Sequence, residues 1–507
     1  LYWYKNNLFN LIPALGIIQQ QTIKGSVYSF VGVVLGFVNL AILSPLIFTT
    51  EQIGLTQVMI AIATILSQIG SLGFNNVTNR LFPYFRSKSK GHRGYLSLAF
   101  LITATGFILS LIGLVLYMPS FIESNREKSE LLSQYAWYIP VLLGFIMLFT
   151  LLDNYCKVLF NAVLGTFLHD FVLRLIILLL VLSFYFGLID FNTYVLLFVI
   201  SQAVPSIIII IYLFYRGEFR FTGFRGFITP DLARQIVSLS VFGIIAGLST
   251  IAITTIDKYM VNNFEGLGDA GIYSIAGYFA VLILIPARSL GKIAVPVVSE
   301  AWKNNDLKVI QEVYYKSSIN QLLVGLLIFI GIIANMNNIF RILPPEYAKG
   351  EMVILFFGLA NIVSASAGAC KIILSTSSHY RYQTYLMIVF IIVVIVSNLI
   401  LIPAMGITGA AVAALISMFV YTGLTVFVLR RFFGFWPFNK VHLLLIVSSC
   451  IIYYAAGLLP ELSLIADIIV RSILITALFA VITLVFKVSD DVLRIYNVIM
   501  DYFRKKD

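Results

Sequence analysis

Charge is what this sequence has least of. Only 11% of its 507 residues are Asp, Glu, Lys or Arg against 60% apolar, and the mean hydropathy is +0.97. A soluble domain carries roughly 25% charged residues, so a string of soluble domains is excluded. Cysteine is almost missing too. Cys156, Cys370 and Cys450 each lie in or beside an apolar run, without Cys-x-x-Cys spacing or a nearby His. That excludes a disulfide framework and a thiolate metal site and leaves three small packing residues. No Gly-x-x-x-x-Gly-Lys-Ser/Thr loop occurs, so the chain does not itself hydrolyse ATP. The histidines, His92, His169, His379 and His442, form no Ser/His/Asp or paired-carboxylate spacing. Residues 1–22 lack signal-peptide features and read as an N-terminal lead-in.

What is abundant is long apolar runs. About 20 apolar residues cross the hydrocarbon core, and the charge-free stretches give fourteen spans. They cover residues 27–48, 54–81, 95–117, 133–159, 166–188, 193–215, 236–259, 271–286, 318–339, 353–374, 385–402, 407–429, 442–457 and 464–486. The eleventh and twelfth are separated only by Pro403-Ala-Met-Gly406, which predicts a tight helical hairpin, and the eighth is expected to run on towards Arg288. With the N-terminus in the cytoplasm, only Arg126, Lys128, Arg341 and Lys349 fall in outer loops. Arg174, Lys258 and Arg471 fall at membrane depth, and every other Lys and Arg falls inside. That asymmetry predicts an all-α polytopic membrane protein of 14 transmembrane helices with both termini cytoplasmic. The short clusters do not form one dense basic patch with interleaved aromatics, which argues against nucleic acid as the reason for the net charge of +11.

Similar features recur from the first and the seventh span onwards: a short outer loop, a second span, a Pro near its inner end (Pro83, Pro296) and a charged inner segment. Such parallel repeats are a common transporter plan. They divide the chain into a lead-in (1–22), an N-lobe of spans 1–6 (23–218), a cytoplasmic linker (219–234), a C-lobe of spans 7–12 (235–431), and spans 13–14 with a tail (432–507).

Ionisable groups at membrane depth are costly and therefore informative. Asp153/Lys157 and Asp170/Arg174 are acid-before-base pairs at i,i+4, the favourable helical order. They read either as neutralised locks between helices or as the lining of a hydrated cavity, with Asp153, Asp170 and Asp257 as candidate ion-coupling groups. Asp257 and Lys258 are adjacent, so they point about 100° apart on a helix and cannot satisfy each other alone. Arg288 and Lys292 are like charges four apart, which repel; they read as positive-inside anchors or as a site for an anion. Asn75, Asn79 and Arg80 make the inner end of the second span polar, and such groups also serve simply to hold helices together. Asp467 and Arg471, one turn apart in the last span, read as a structural pair, as Lys157 and Arg174 do within their own pairs.

Three segments resemble a known family. They are Asn398-Leu-Ile-Leu-Ile-Pro-Ala-Met-Gly-Ile-Thr-Gly-Ala-Ala-Val-Ala-Ala-Leu-Ile-Ser417; Asp257-Lys-Tyr-Met-Val with Gly271-Ile-Tyr-Ser274; and Gln21-Thr-Ile-Lys-Gly25 with Glu51-Gln-Ile-Gly-Leu55. They are similar to the polysaccharide-transport branch, O-antigen flippase type, of the multidrug/oligosaccharidyl-lipid/polysaccharide exporter superfamily. The resemblance implies two six-helix lobes around a cationic cavity with alternating access. It implies a secondary-type transporter and not an enzyme, in the bacterial cytoplasmic (inner) membrane, with no cofactor and no metal. The implied cargo is a polyprenyl-pyrophosphate-linked oligosaccharide of O-antigen, capsule or exopolysaccharide type, moved from the inner to the outer leaflet. The implied partners are membrane lipids and the polymerase and glycosyltransferases of the same pathway.

A pyrophosphate calls for fixed positive charge in a partly dehydrated site, which Arg80, Lys258, Arg288 and Lys292 could supply beside Asn75 and Asn79. The alternatives are a multidrug/cation antiporter of the same superfamily, which favours uncompensated acids; a lipid II flippase; and, more distantly, a membrane glycan polymerase or ligase, which calls for a large outer loop.

Overall fold

The computed structural model describes residues 28–125, 129–224 and 226–494, save the side chains at 124, 246, 249–250, 252–254, 286, 288–290 and 292–293. The lead-in 1–22 and the tail beyond 494 lie outside the described residues, as do Arg126 and Lys128. Packing divides the chain into two compact units, Leu1–Ser274 and Ile275–Asp507. Among the described residues every regular element is helical.

The first unit contains α1 (Tyr28–Ile47), α2 (Thr50–Gly70), α3 (Phe74–Phe85), α4 (Tyr95–Asn125), α5 (Glu130–Val158), α6 (Ala162–Tyr185) and α7 (Phe191–Tyr215), then α8 (Pro230–Thr254), α9 (Ile256–Glu265) and the start of α10 (Leu267–Leu284). The second contains the rest of α10, α11 (Ile285–Lys303), α12 (Leu307–Ala334), α13 (Met336–Ile342), α14 (Glu351–Ser366), α15 (Cys370–Thr376), α16 (Arg381–Met405), α17 (Ile407–Phe433), α18 (Lys440–Gly457) and α19 (Leu464–Val485). Thirteen helices among the described residues are long and apolar enough to cross a membrane. They match every predicted span except the seventh; α8, 25 residues long and with several side chains outside the described residues, covers it up to a break at Thr255 (φ −142°, ψ −32°) before α9. The protein is an all-α, multi-pass membrane protein.

The first amides of a helix lack intrahelical acceptors, and lipid supplies none, so the ends are capped from the sequence. Thr49 Oγ1 accepts from the Gln52 amide (3.2 Å) while Gln52 Oε1 accepts from the Thr49 amide (3.1 Å), closing the N-terminus of α2. Thr229 Oγ1, Asp306 Oδ1 and Asn439 Oδ1 accept first-turn amides of α8, α12 and α18, and His442 returns the bond at Asn439. At the other end of α3, buried Phe82, Phe85, Tyr95 and Tyr155 cluster, with Phe82 and Tyr95 centroids 5.0 Å apart. Below this cluster His92 Nε2 meets Glu218 Oε2 at 2.8 Å and Tyr155 OH donates to the Glu218 carbonyl (3.1 Å), tying the loop after α3 to the loop after α7.

One expectation changes. The second span is not one helix: it breaks at Ser71–Gly73, where Gly73 takes a left-handed φ of +66° and α3 restarts. The eighth runs on past Arg288 as expected, as α11 to Lys303, because Pro286 falls in the first turn of α11, where a missing N–H costs nothing. The predicted hairpin sits where expected: α16 ends at Met405 and α17 begins at Ile407, with Gly406 between them at φ +60°.

With Cys450, the exposed one of three free cysteines, replaced by Ser, a cysteine at Ser89 should be labelled from the cytoplasmic side and one at Glu123 from the outside. Labelling of Glu123→Cys from the cytoplasm alone would invert the predicted orientation.

Candidate functional site

Within the first unit, α2–α3 and α8–α9 run antiparallel along a continuous seam. At one end Lys258 Nζ donates to Gln57 Oε1 (2.8 Å). Next, Gly247 leaves space that the Gln68 amide occupies, and Gly73 meets the Ser240 carbonyl; at the other end Asn76 Nδ2 donates to the Leu239 carbonyl (3.2 Å). Beyond Lys258, Gly54 and Gly271 bring α2 against the start of α10. A Cβ on either would fall 2.0 or 2.1 Å from the carbonyl oxygens of Leu267 and Thr50.

The seam separates groups that the sequence had grouped together. Asp257 and Lys258 do diverge: Asp257 is buried and its Oδ2 accepts from Tyr273 OH (3.1 Å), while Lys258 turns to Gln57. Arg80 and Asn79, however, are exposed on α3 past the Asn76 end. Gln57 lies on α2 and residue 80 on α3 beyond the break at Ser71–Gly73, at opposite ends of the seam, so Arg80 and Lys258 do not converge on one point. Asn75 faces elsewhere. Its Oδ1 accepts from Asn154 Nδ2 (2.9 Å), and it lines a small polar cavity with Ser67, Ser71, Thr78, Thr103 and Thr150. Arg288 and Lys292 lie on α11, and their side chains are outside the described residues.

Of the i,i+4 pairs, Asp153 and Lys157 are joined at 2.5 Å, with the lysine 43% exposed and Asp153 Oδ1 buried beside Gly165. Asp467 and Arg471 are joined at 2.7 Å and both are nearly buried. Asp170 and Arg174 are corrected: they make no direct ion pair. Asp170 Oδ2 accepts from Ser29 Oγ (3.0 Å) and Oδ1 sits 3.3 Å from His169 Nδ1, while Arg174 donates to the Gly32 carbonyl. Gly32 and Gly36 let α1 come close enough for both contacts, so the two side chains fasten α6 to α1, while their opposite charges still act on each other at longer range.

Two features escaped the sequence reading. Lys371, counted there as an inner-loop cation, is half-buried at the break between α14 and α15. Its Nζ donates to Ser364 Oγ (3.1 Å) and lies 5.1 Å from the Tyr421 ring centroid, with no carboxylate partner among the described residues. A polar cluster of Asn125, Ser129 and Asn262 links α4, the start of α5 and α9. Asn262 Nδ2 donates to Asn125 Oδ1 (3.1 Å), and Ser129 Oγ donates to Asn262 Oδ1 (3.0 Å). Ser318 Oγ meets His442 Nε2 at 2.7 Å, but the contact is buried and the same hydroxyl donates to the Ser366 carbonyl, whereas Ser378 Oγ and His379 Nδ1, 3.1 Å apart, are chain neighbours. The Ser318 contact joins helices and presents no nucleophile to a substrate. Among the described residues no three His, Cys, Asp or Glu side chains are placed to hold a metal.

A solved structure titled "Lipid II flippase MurJ, inward closed conformation" is similar over 92% of this chain and 98% of its own, at 14% identity and a TM-score of 0.72. Inward-facing and outward-facing MATE-family multidrug resistance transporters of the MOP superfamily are similar over 82% of this chain and 94% and 96% of theirs. Their identities are 14% and 12% and their TM-scores 0.55 and 0.52. The fold is therefore that of the MOP flippases and transporters. The family model for polysaccharide biosynthesis proteins matches residues 20–302, more than half of the chain, and the chain belongs to that family. No curated protein matches it.

Proposed function

We propose that this protein is a flippase that moves a polyprenyl-pyrophosphate-linked oligosaccharide from the inner to the outer leaflet of the bacterial cytoplasmic membrane by alternating access. The observation that carries the reading is membership of the polysaccharide biosynthesis family by a chain with a MOP-type fold. The cations support it. Lys371 sits half-buried without a carboxylate partner among the described residues, Arg80 is exposed on α3, and Lys258 lies well along the seam from it. Within the first unit a pyrophosphate passing along the seam meets Arg80 and Lys258 in succession, while its prenyl tail stays in lipid. The two six-helix lobes, 23–218 and 235–431, supply the rocking bodies. Spans 13 and 14 complete fourteen spans with both termini inside.

An antiporter needs acids that face the pathway. Here Asp153 is paired with Lys157, Asp170 is held by Ser29 and His169, and Asp257 accepts from Tyr273, although any of the three could exchange a proton or ion during transport. Lipid II shares the prenyl-pyrophosphate-sugar chemistry, so a lipid II flippase is the second reading, favoured by the likeness to the MurJ fold.

In proteoliposomes, fluorescent prenyl-pyrophosphate glycans should be flipped without ATP. Lys258→Ala, Lys371→Ala and Arg288→Ala should each slow flipping by about tenfold or more, as loss of a charge-assisted contact to phosphate implies. Arg288→Lys should recover only part, because charge returns without the bidentate geometry. Offering lipid II beside a pathway glycan separates the two cargo readings. Full rates in all three alanine variants would leave the cations as topology signals only.

A further inference from the structure

At the end of the second unit away from Lys303 and Lys308, the tops of α12, α13, α14, α18 and α19 enclose a cavity of about 520 Å³. Asp467 is one of its walls. Its Oδ2 accepts from Arg471 Nε (2.7 Å) and Asn338 Nδ2 (2.5 Å). Its Oδ1 is buried, with the Leu462 amide directed at the carboxylate. Asp467 is 4% exposed, so that oxygen has little water to turn to. Arg471 cannot serve it, because its other nitrogens donate to the Ala456 (2.6 Å) and Leu459 (3.3 Å) carbonyls. On the rim stand Arg341, which has no carboxylate partner among the described residues, and two exposed carboxylates, Glu351 and Glu461. The ring of Tyr453 forms part of the wall, itself 41% exposed.

These groups select one kind of ligand. A divalent cation is disfavoured, since no three ligating side chains converge. A phosphate would meet three carboxylates and a single uncommitted guanidinium, so repulsion wins. An alkyl chain would strip water from charged groups without replacing their hydrogen bonds. A sugar ring satisfies the exposed set: its hydroxyls donate to Glu351 and Glu461 and accept from Arg341, and its C–H face lies on Tyr453. The volume falls within the usual range for small-molecule sites, about 300–1,000 Å³.

We propose that this cavity is a saccharide subsite, which holds a sugar unit of the cargo on the side opposite the cation-rich helix ends. That use rests on the flippase reading; the chemistry of the cavity does not. The test is saturation-transfer NMR on the full chain in nanodiscs, with maltotriose, chitotriose and trigalacturonate as probes of neutral, N-acetylated and acidic sugars. At least one probe should show transfer. Arg341→Ala and Glu461→Gln should each weaken its binding about tenfold, the size of one hydrogen bond to a charged group, while Glu130→Gln in the first unit leaves it unchanged. Absence of transfer from all three probes, or transfer indifferent to both rim variants, overturns the subsite. The same preparations go into the flipping assay. Flipping without sugar binding removes the subsite and keeps the function. Sugar binding that depends on the rim, without flipping of any prenyl glycan, does the reverse.

Discussion

Arg471→Ala is expected to cost about 3–5 kcal/mol, the usual penalty for stripping one partner from a buried ion pair. The guanidinium spends its hydrogen bonds on Asp467 and on the Ala456 and Leu459 carbonyls at the turn from α18 to α19. Its removal therefore leaves a carboxylate that is 6% exposed and orphans two main-chain acceptors. Arg471→Lys should be nearly as damaging, because an ammonium cannot span three acceptors set around a planar fork. Asp467→Asn should cost less, since an amide oxygen still accepts from Asn338 and Arg471, and the guanidinium keeps the Ala456 and Leu459 carbonyls. The thermal midpoint of purified protein, followed by size-exclusion fluorescence, ranks the three. A midpoint for Arg471→Ala equal to wild type would mean that the pair is hydrated and not structural.

Gly73→Val should be the most disruptive single substitution on the seam. A left-handed φ costs an L-residue about 1–2 kcal/mol, and a Cβ would lie 2.0 Å from the Ser240 carbonyl oxygen, a backbone atom that no rotamer change can move. Gly54→Ala has no φ penalty but meets the Leu267 carbonyl oxygen at the same 2.0 Å. Gly113→Ala on α4, with nothing within 4 Å of the added carbon, is the control and should be neutral or slightly stabilising, by up to about 1 kcal/mol of helix propensity. Yield and thermal midpoint report all three. If Gly73→Val behaves like Gly113→Ala, the seam is not closely packed.

The helices were largely legible in the sequence because lipid imposes one rule over some twenty residues at a time, and because charge marks their ends. Local pairing was legible as well: Asp467 and Arg471 lie one turn apart and meet. The failures share a cause. Asp170 and Arg174 have the same spacing, yet they find Ser29 and Gly32, more than a hundred residues away. Arg80 and Lys258 shared a sign and a chemical suggestion, but their depths depended on an antiparallel register that no local pattern encodes. Lys371 counted as a loop charge because nothing nearby in sequence announces Ser364 below it and Tyr421 across it. The break at Ser71–Gly73 was hidden inside an otherwise uninterrupted run.

That break and the one at Thr255 lie at different depths of the same pair. Gly73 faces Ser240, near the Asn76 end, whereas Thr255 precedes Lys258, which faces Gln57. Each helix of the pair is thus jointed where its neighbour is continuous, and the stretch between the joints remains braced on both sides. No plane drawn across the pair therefore cuts both helices at a break, and each interruption is splinted by an unbroken partner.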